Sequence, residues 1–237
     1  MAVLDQVGES TTTSHWGAMF RLASVCAVVV ACFIPVQAAV FLLSPPPTTV
    51  QAYFELFQRN PLLGLLDLDL LLTVDYLVMV PLYLALFLVL RRQAPSAALL
   101  GLVFGLFSVL LFIVSREATF SMWMLSSQYA AAADPAQRSA LLASCQSLLI
   151  LYNGGTFATS YVLGASSTLL FSWSLWRHRT LGRAIGVIGI VTGLTMLVPP
   201  NTGMVGLVLS MLSLIPTAVW LVLLARAFAR TARAQAF

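Results

Sequence analysis

Apolar residues run nearly unbroken through six stretches of this chain, at about 22–43, 61–90, 96–114, 156–176, 181–198 and 204–225. Each is near the ~20 helical residues that a bilayer core requires. Polar or proline-rich breaks separate them. SPPPTT at 44–49 stops the first stretch. Arg91-Arg92 stops the second, and Pro199-Pro200 stops the fifth. Asn60 followed by Pro61 is an N-cap and first-turn pair, so the second membrane helix is predicted to begin there and to run to Leu90, with Pro81 inside it. Val36-Gln37-Ala38 has the look of a signal-peptidase site. The residues ahead of it are acidic, however, and the apolar run continues past it, so a retained helix is predicted.

Two further segments are amphipathic. In VQAYFELFQRN, Tyr53, Phe54 and Phe57 fall on one helical face and Glu55, Gln58 and Arg59 on the other, the pattern of a short interfacial helix. The third apolar stretch continues through SREATFSMWMLSSQYAAAA beyond membrane depth. DPAQRSALLASCQSLLILYNGG then forms another helix, capped by Asp134 with Pro135 after it. The predicted architecture is all-α: a polytopic membrane bundle of six transmembrane helices, with short amphipathic helices on its outer side. Residues 1–16 form a cytoplasmic polar tail, 17–229 the membrane domain and 230–237 a second cytoplasmic tail. No internal repeat and no second domain is legible.

Composition agrees. The chain is 60% hydrophobic and 8% charged, against roughly 25% charged in a soluble domain. All 12 basic residues are Arg. Despite the basic balance, no Arg cluster is interleaved with stacking aromatics, so no nucleic-acid partner is expected. Cys26, Cys32 and Cys145 form no CxxC pair, and only His15 and His178 could join them. No metal site and no cofactor is predicted. With the N-terminus inside, the inner segments hold Arg21, Arg91, Arg92, Arg177, Arg179, Arg183, Arg226, Arg230 and Arg233, nine against Arg59, Arg116 and Arg138 outside. The positive-inside rule therefore places both termini in the cytoplasm of a multi-pass cell-membrane protein.

LLDLDLLLTVDYL puts Asp67, Asp69 and Asp75 at the outer part of the second helix. Counting from Leu90, Asp75 lies ~22 Å into a core of ~30 Å, and Asp69 lies at its outer boundary. Arg116 and Glu117 end the third span at that level, and Tyr152, Asn153 and Thr156 begin the fourth. Asp69, Thr73, Tyr76 and Tyr83 share one stripe of the helix, while Asp67 projects nearly opposite Asp69. All three acids can meet only where the helix is broken. An ionised Asp facing lipid costs about 2.5 to 3.5 kcal/mol at a helix centre, so Asp75 is expected to face the bundle interior. One reading is structural: Arg116 pairs with Asp75 or Asp69 and locks two helices together. The other makes the same acids a site that binds a cation or polar head group, or moves a proton.

Small residues recur at helical spacing in Gly182, Gly186, Gly189 and Gly193, in Gly101 and Gly105, and in Ser160, Gly164 and Thr168. These are packing seams, which allow close helix approach and could also serve an oligomer. Trp173 and Trp176 beside Arg177 fit an inner interfacial belt, and Trp123 and Tyr129 an outer one.

SREATFSMWMLSSQYAAAADPAQRSALL, then LYNGGTFATSYVLGA, and LLDLDLL with PLYLALFLVLRR resemble a family of small bacterial six-helix membrane proteins of unknown function. The resemblance runs from about Tyr53 to Arg226. It implies a bacterial inner-membrane protein and motif positions at Asp69, Ser115, Arg116, Ser126, Gln128, Tyr129, Arg138, Tyr152, Asn153 and Thr156. It implies no activity.

The leading functional expectation is an outward-facing polar site between the second, third and fourth membrane helices, binding or transporting a small or lipid-like ligand. Its ligand-binding candidates are Asp69, Asp75, Tyr76, Arg116, Glu117, Gln128, Tyr129, Asn153 and Thr156. The rival is an intramembrane enzyme on a lipid or isoprenoid substrate. An Asp would be its general acid, and Tyr76, Trp123, Tyr129, Phe157 and Tyr161 would line an apolar pocket. The lack of a triad-capable His or reactive Cys counts against it. A third reading is a structural subunit of a membrane complex.

Overall fold

The computed structural model describes residues 16–43, 47 and 49–235. The expected N-terminal tail lies outside the described residues but for Trp16, as do residues 44–46 and 48 of the SPPPTT break and residues 236 and 237. The described residues form no strand. The helices are α1 (Gly17–Leu43), α2 (Val50–Arg59), α3 (Pro61–Asp67), α4 (Leu70–Leu90), α5 (Pro95–Ala131), α6 (Pro135–Tyr152), α7 (Gly155–His178), α8 (Arg183–Thr195) and α9 (Met204–Ala234). The starts of α2, α3 and α6 follow side-chain chemistry. Thr49 Oγ1 accepts from Ala52 N at 3.3 Å, Asn60 Oδ1 from Leu63 N at 3.1 Å, and Asp134 Oδ1 from Ala136 N at 3.0 Å, each satisfying an orphan donor of the first turn.

Four helices are long and apolar enough to cross a membrane: α1 over Gly17–Val40, α4, α5 and α9. α7 has 24 residues, but Thr156, Thr159, Ser160, Ser166, Ser167, Thr168, Ser172 and Ser174 dilute its apolar character. α8 has 13 residues and covers only ~20 Å, shorter than the predicted stretch 181–198. α5 is 37 residues long, ~55 Å. It therefore reaches well past a bilayer core, as its polar outer half led one to expect. α9 continues through Ala234, into what the pattern assigned to a tail.

α1 packs on α4, α4 on α5, α5 on α7, α7 on α8, α8 on α9, and α9 returns to α1, closing a ring. Its core includes Phe20, Ala27, Leu82, Leu86, Phe171, Leu175, Trp220, Leu224 and Phe228. Phe20 stacks against Phe228 at 6.0 Å, Ser24 Oγ donates to Ala225 O at 2.8 Å, and Arg91 lies over Trp16 at 5.8 Å. The start of α1 and the ends of α4 and α9 thus share one face. Thr180 Oγ1 bonds to Gln93 Oε1 and brings the end of α7 to the same face. At the other end α2, α3, α6 and the C-terminal half of α5 form a cap around Tyr53, Phe54, Phe57, Leu68, Met122, Cys145 and Tyr152.

The glycine seams act within the chain. A Cβ on Gly105 would stand 2.9 Å from Ser167 Oγ and from Tyr83, one on Gly164 2.8 Å from Ser108 Oγ, and one on Gly186 2.5 Å from Trp176 N. α5 and α7 also exchange hydroxyl bonds: Ser108 Oγ to Ser160 O at 2.8 Å and Ser160 Oγ to Ser108 O at 2.9 Å. Gly182 differs from the others. It meets nothing within 4 Å and has φ +110°, a turn conformation, so it belongs to the α8 start and not to the seam.

Candidate functional site

The helix predicted to run unbroken from Asn60 to Leu90 is broken at Leu68–Asp69. Asp69 has φ 62° and ψ 28°, the left-handed region that a non-glycine residue enters at a cost. Groups from α5 and α6 hold it there. Thr119 Oγ1 donates to Leu68 O at 3.1 Å. Arg116 Nη1 donates to Asp69 Oδ2 at 2.9 Å, and the Tyr152 hydroxyl donates to the same oxygen at 2.6 Å. Thr73 Oγ1 closes the next turn onto Asp69 O at 2.9 Å.

Arg116 is 2% exposed. Two further donors reach Ser115 Oγ at 3.2 Å and Tyr152 O at 3.3 Å. Three rings surround the guanidinium: Tyr152 at 3.9 Å, Phe157 at 4.6 Å and Phe112 at 4.7 Å. A buried charge needs a counter-charge and full hydrogen bonding, and Arg suits such a place because its flat fork both pairs and stacks. Of the two pairings open to Arg116, Asp69 takes it and Asp75 does not. The reason is the break, which turns Asp69 out of the helical path and toward α5.

Asp75 lies six residues into the next helix, ~9 Å along its axis. It shares its helix face with Leu82 and Leu86, seven and eleven residues on, both fully buried. Its Oδ1 is buried and has no hydrogen-bond partner. The carboxylate therefore faces the bundle interior, as the cost of a lipid-facing charge required. Tyr76 stacks on Phe112 at 3.8 Å, Phe112 meets Phe157 at 6.1 Å, and Phe157 meets Tyr161 at 6.2 Å. Tyr76, Phe157 and Tyr161, which the enzyme reading assigned to a pocket wall, pack into one series through Phe112, and Arg116 lies over its two middle rings, Phe112 and Phe157.

The other candidates stand apart. Glu117, Gln128, Asn153 and Thr156 are exposed. Asn153 O accepts from Asn201 Nδ2 at 2.6 Å, tying the α6–α7 turn to the α8–α9 turn. Tyr129 belongs to the cap, 5.1 Å from Phe54, with Arg138 over it at 5.7 Å. Ser126 Oγ donates to Phe54 O at 3.1 Å, and Arg138 Nε to Ala132 O at 2.9 Å. Burial, with the charges of Asp67 and Asp69, pushes the Tyr53 hydroxyl up to about 12, so this cap residue stays neutral. Burial pushes the Cys145 thiol up to about 11, which leaves it an inert filler. Phe112 escaped the sequence reading, although its position four residues before Arg116 puts it on the same face of α5.

The ring of apolar helices and the buried charge cluster beneath its cap define a multi-pass helical membrane protein. The chain belongs to the family described as Domain of unknown function (DUF4386), whose model matches residues 52–226. No curated protein and no solved structure matches it.

Proposed function

We propose that the chain crosses the bilayer six times with both termini in the cytoplasm, and that it holds a small monovalent cation, or the proton that replaces it, at Asp75. α7, at ~36 Å, is long enough for a crossing, and α8 completes one with the residues that flank it. The Thr180–Gln93 and Asn153–Asn201 bonds support the count, because each joins two turns that six crossings leave on one side. The nine arginines gathered at the end that carries Arg91 and Arg179 support the orientation. A bacterial inner membrane is the setting the family resemblance favours.

The observation that carries the functional reading is the Asp75 carboxylate, inward-facing with a buried oxygen that has no partner, while the nearby Arg116 is committed to Asp69. A buried polar atom without a partner calls for a missing ligand, ion or water, and an ionisable residue inside a membrane bundle is a functional position by default. A cation on Asp75 cancels its charge, and so does a proton. Asp75 sits in the outer part of the span, so the ligand enters from the outer side.

Isothermal titration of protein in lipid nanodiscs tests this, with Na+ or K+ exchanged against choline at constant ionic strength. The wild type is expected to give a binding heat that varies with the ionisation enthalpy of the buffer, the sign of a displaced proton. Asp75→Asn is expected to give none. An Asp75→Asn protein that titrates like the wild type overturns the assignment.

A further inference from the structure

The acids and arginines of this chain are segregated. Every acid after the N-terminal tail lies between Glu55 and Asp134, and none occurs from Pro135 to the end of the chain. At the face shared by the ends of α4, α7 and α9, the described residues carry no carboxylate, while Arg91, Arg92, Arg177, Arg179, Arg183, Arg226, Arg230 and Arg233 are all exposed. Two of these groups are drawn together by a specific contact. Gln93, next to Arg92, is hydrogen-bonded to Thr180, next to Arg179. Each arginine thus starts one chain step, about 3.8 Å, from a bonded pair. Beside them Trp173 and Trp176, 53% and 38% exposed, lie 5.0 Å apart at the end of α7. Exposed indoles at that level mark where head groups meet acyl chains.

We infer that the joined α4–α5 and α7–α8 turns form a binding site for the phosphates of an anionic phospholipid, with a head group bearing two phosphates preferred. Arg92 comes from one turn, and Arg179 with Arg183 from the other. Guanidinium groups bind phosphate oxygens in bidentate fashion, and arginines of two turns fit two phosphates better than one. Basic clusters between membrane helices bind such head groups by this chemistry. The Trp pair would pack on the lipid's glycerol and first methylenes. The site is independent of Asp75 and of the direction of insertion, since lipid added to detergent-purified protein reaches both ends of the bundle.

Native mass spectrometry of detergent-purified protein titrated with diphosphatidylglycerol, phosphatidylglycerol or phosphatidylcholine tests the inference. The expected order of affinity is diphosphatidylglycerol over phosphatidylglycerol over phosphatidylcholine. Each arginine near the surface is worth about a fivefold change, so Arg92→Gln with Arg179→Gln should weaken diphosphatidylglycerol binding by roughly 25-fold. Arg226→Gln with Arg230→Gln, the same charge removed from α9, should change it far less. Equal losses in the two double variants would reduce the effect to net charge and overturn the site. So would equal binding of all three lipids. Displacement of the lipid by millimolar inorganic phosphate or pyrophosphate would overturn the lipid as occupant and leave a soluble-anion site.

Discussion

Arg116 brings a fixed positive charge to a position that is 2% exposed, and Asp69, Ser115, Tyr152 and three aromatic rings account for its contacts. Removing one member of a buried pair leaves the other uncompensated, at about 3–5 kcal/mol in soluble proteins, and membranes soften that figure. Asp69→Asn and Arg116→Gln should therefore each lower the melting temperature in detergent, and the double variant should recover part of the loss. Strictly additive losses would contradict the pairing. Arg116→Lys should not rescue, because a compact ammonium cannot reach three acceptors spread around three different guanidinium nitrogens and has no flat face to stack between the rings. Tyr152→Phe removes a hydrogen bond to a charged group and should cost about 1.5–3 kcal/mol, read from the same melts.

Among the elements, the break between α3 and α4 decides which acid does what. The sequence around it, LLDLDLL, holds no Pro, and its nearest Gly is Gly64. Local signals therefore describe one continuous helix, and tertiary hydrogen bonds from Thr119, Arg116 and Tyr152 overrule them. That is why the common level of Asp69, Arg116 and Tyr152 was legible while the choice of Asp69 over Asp75 was not. The seams were legible because small residues at helical spacing have few other uses in lipid. Gly186→Ala should destabilise by about 1–3 kcal/mol, the cost of overpacking, since its Cβ would meet backbone at 2.5 Å. Gly155→Ala, with nothing within 4 Å, should melt with the wild type. Equal melts for the two variants would contradict the seam.

At the scale of the molecule, the described residues divide polarity between two ends, with the acids and the charge clasp at the cap end and arginines without a carboxylate among them at the other face. Single cysteines in a background lacking Cys26, Cys32 and Cys145 should react from the cytoplasm at Gln93 or Thr180 and from outside at Thr202 or Gln128. The reverse pattern would invert the orientation. In the function we propose, the two membrane-level acids divide their labour, Asp69 holding the fold and Asp75 serving a ligand. Thermal unfolding of Asp69→Asn and Asp75→Asn in nanodiscs, each with Na+ and with choline, tests it most directly. Asp69→Asn is expected to melt well below the wild type yet still respond to the cation, and Asp75→Asn to melt at or above the wild type and respond to nothing. A stable Asp69→Asn protein together with a cation-responsive Asp75→Asn protein would contradict it.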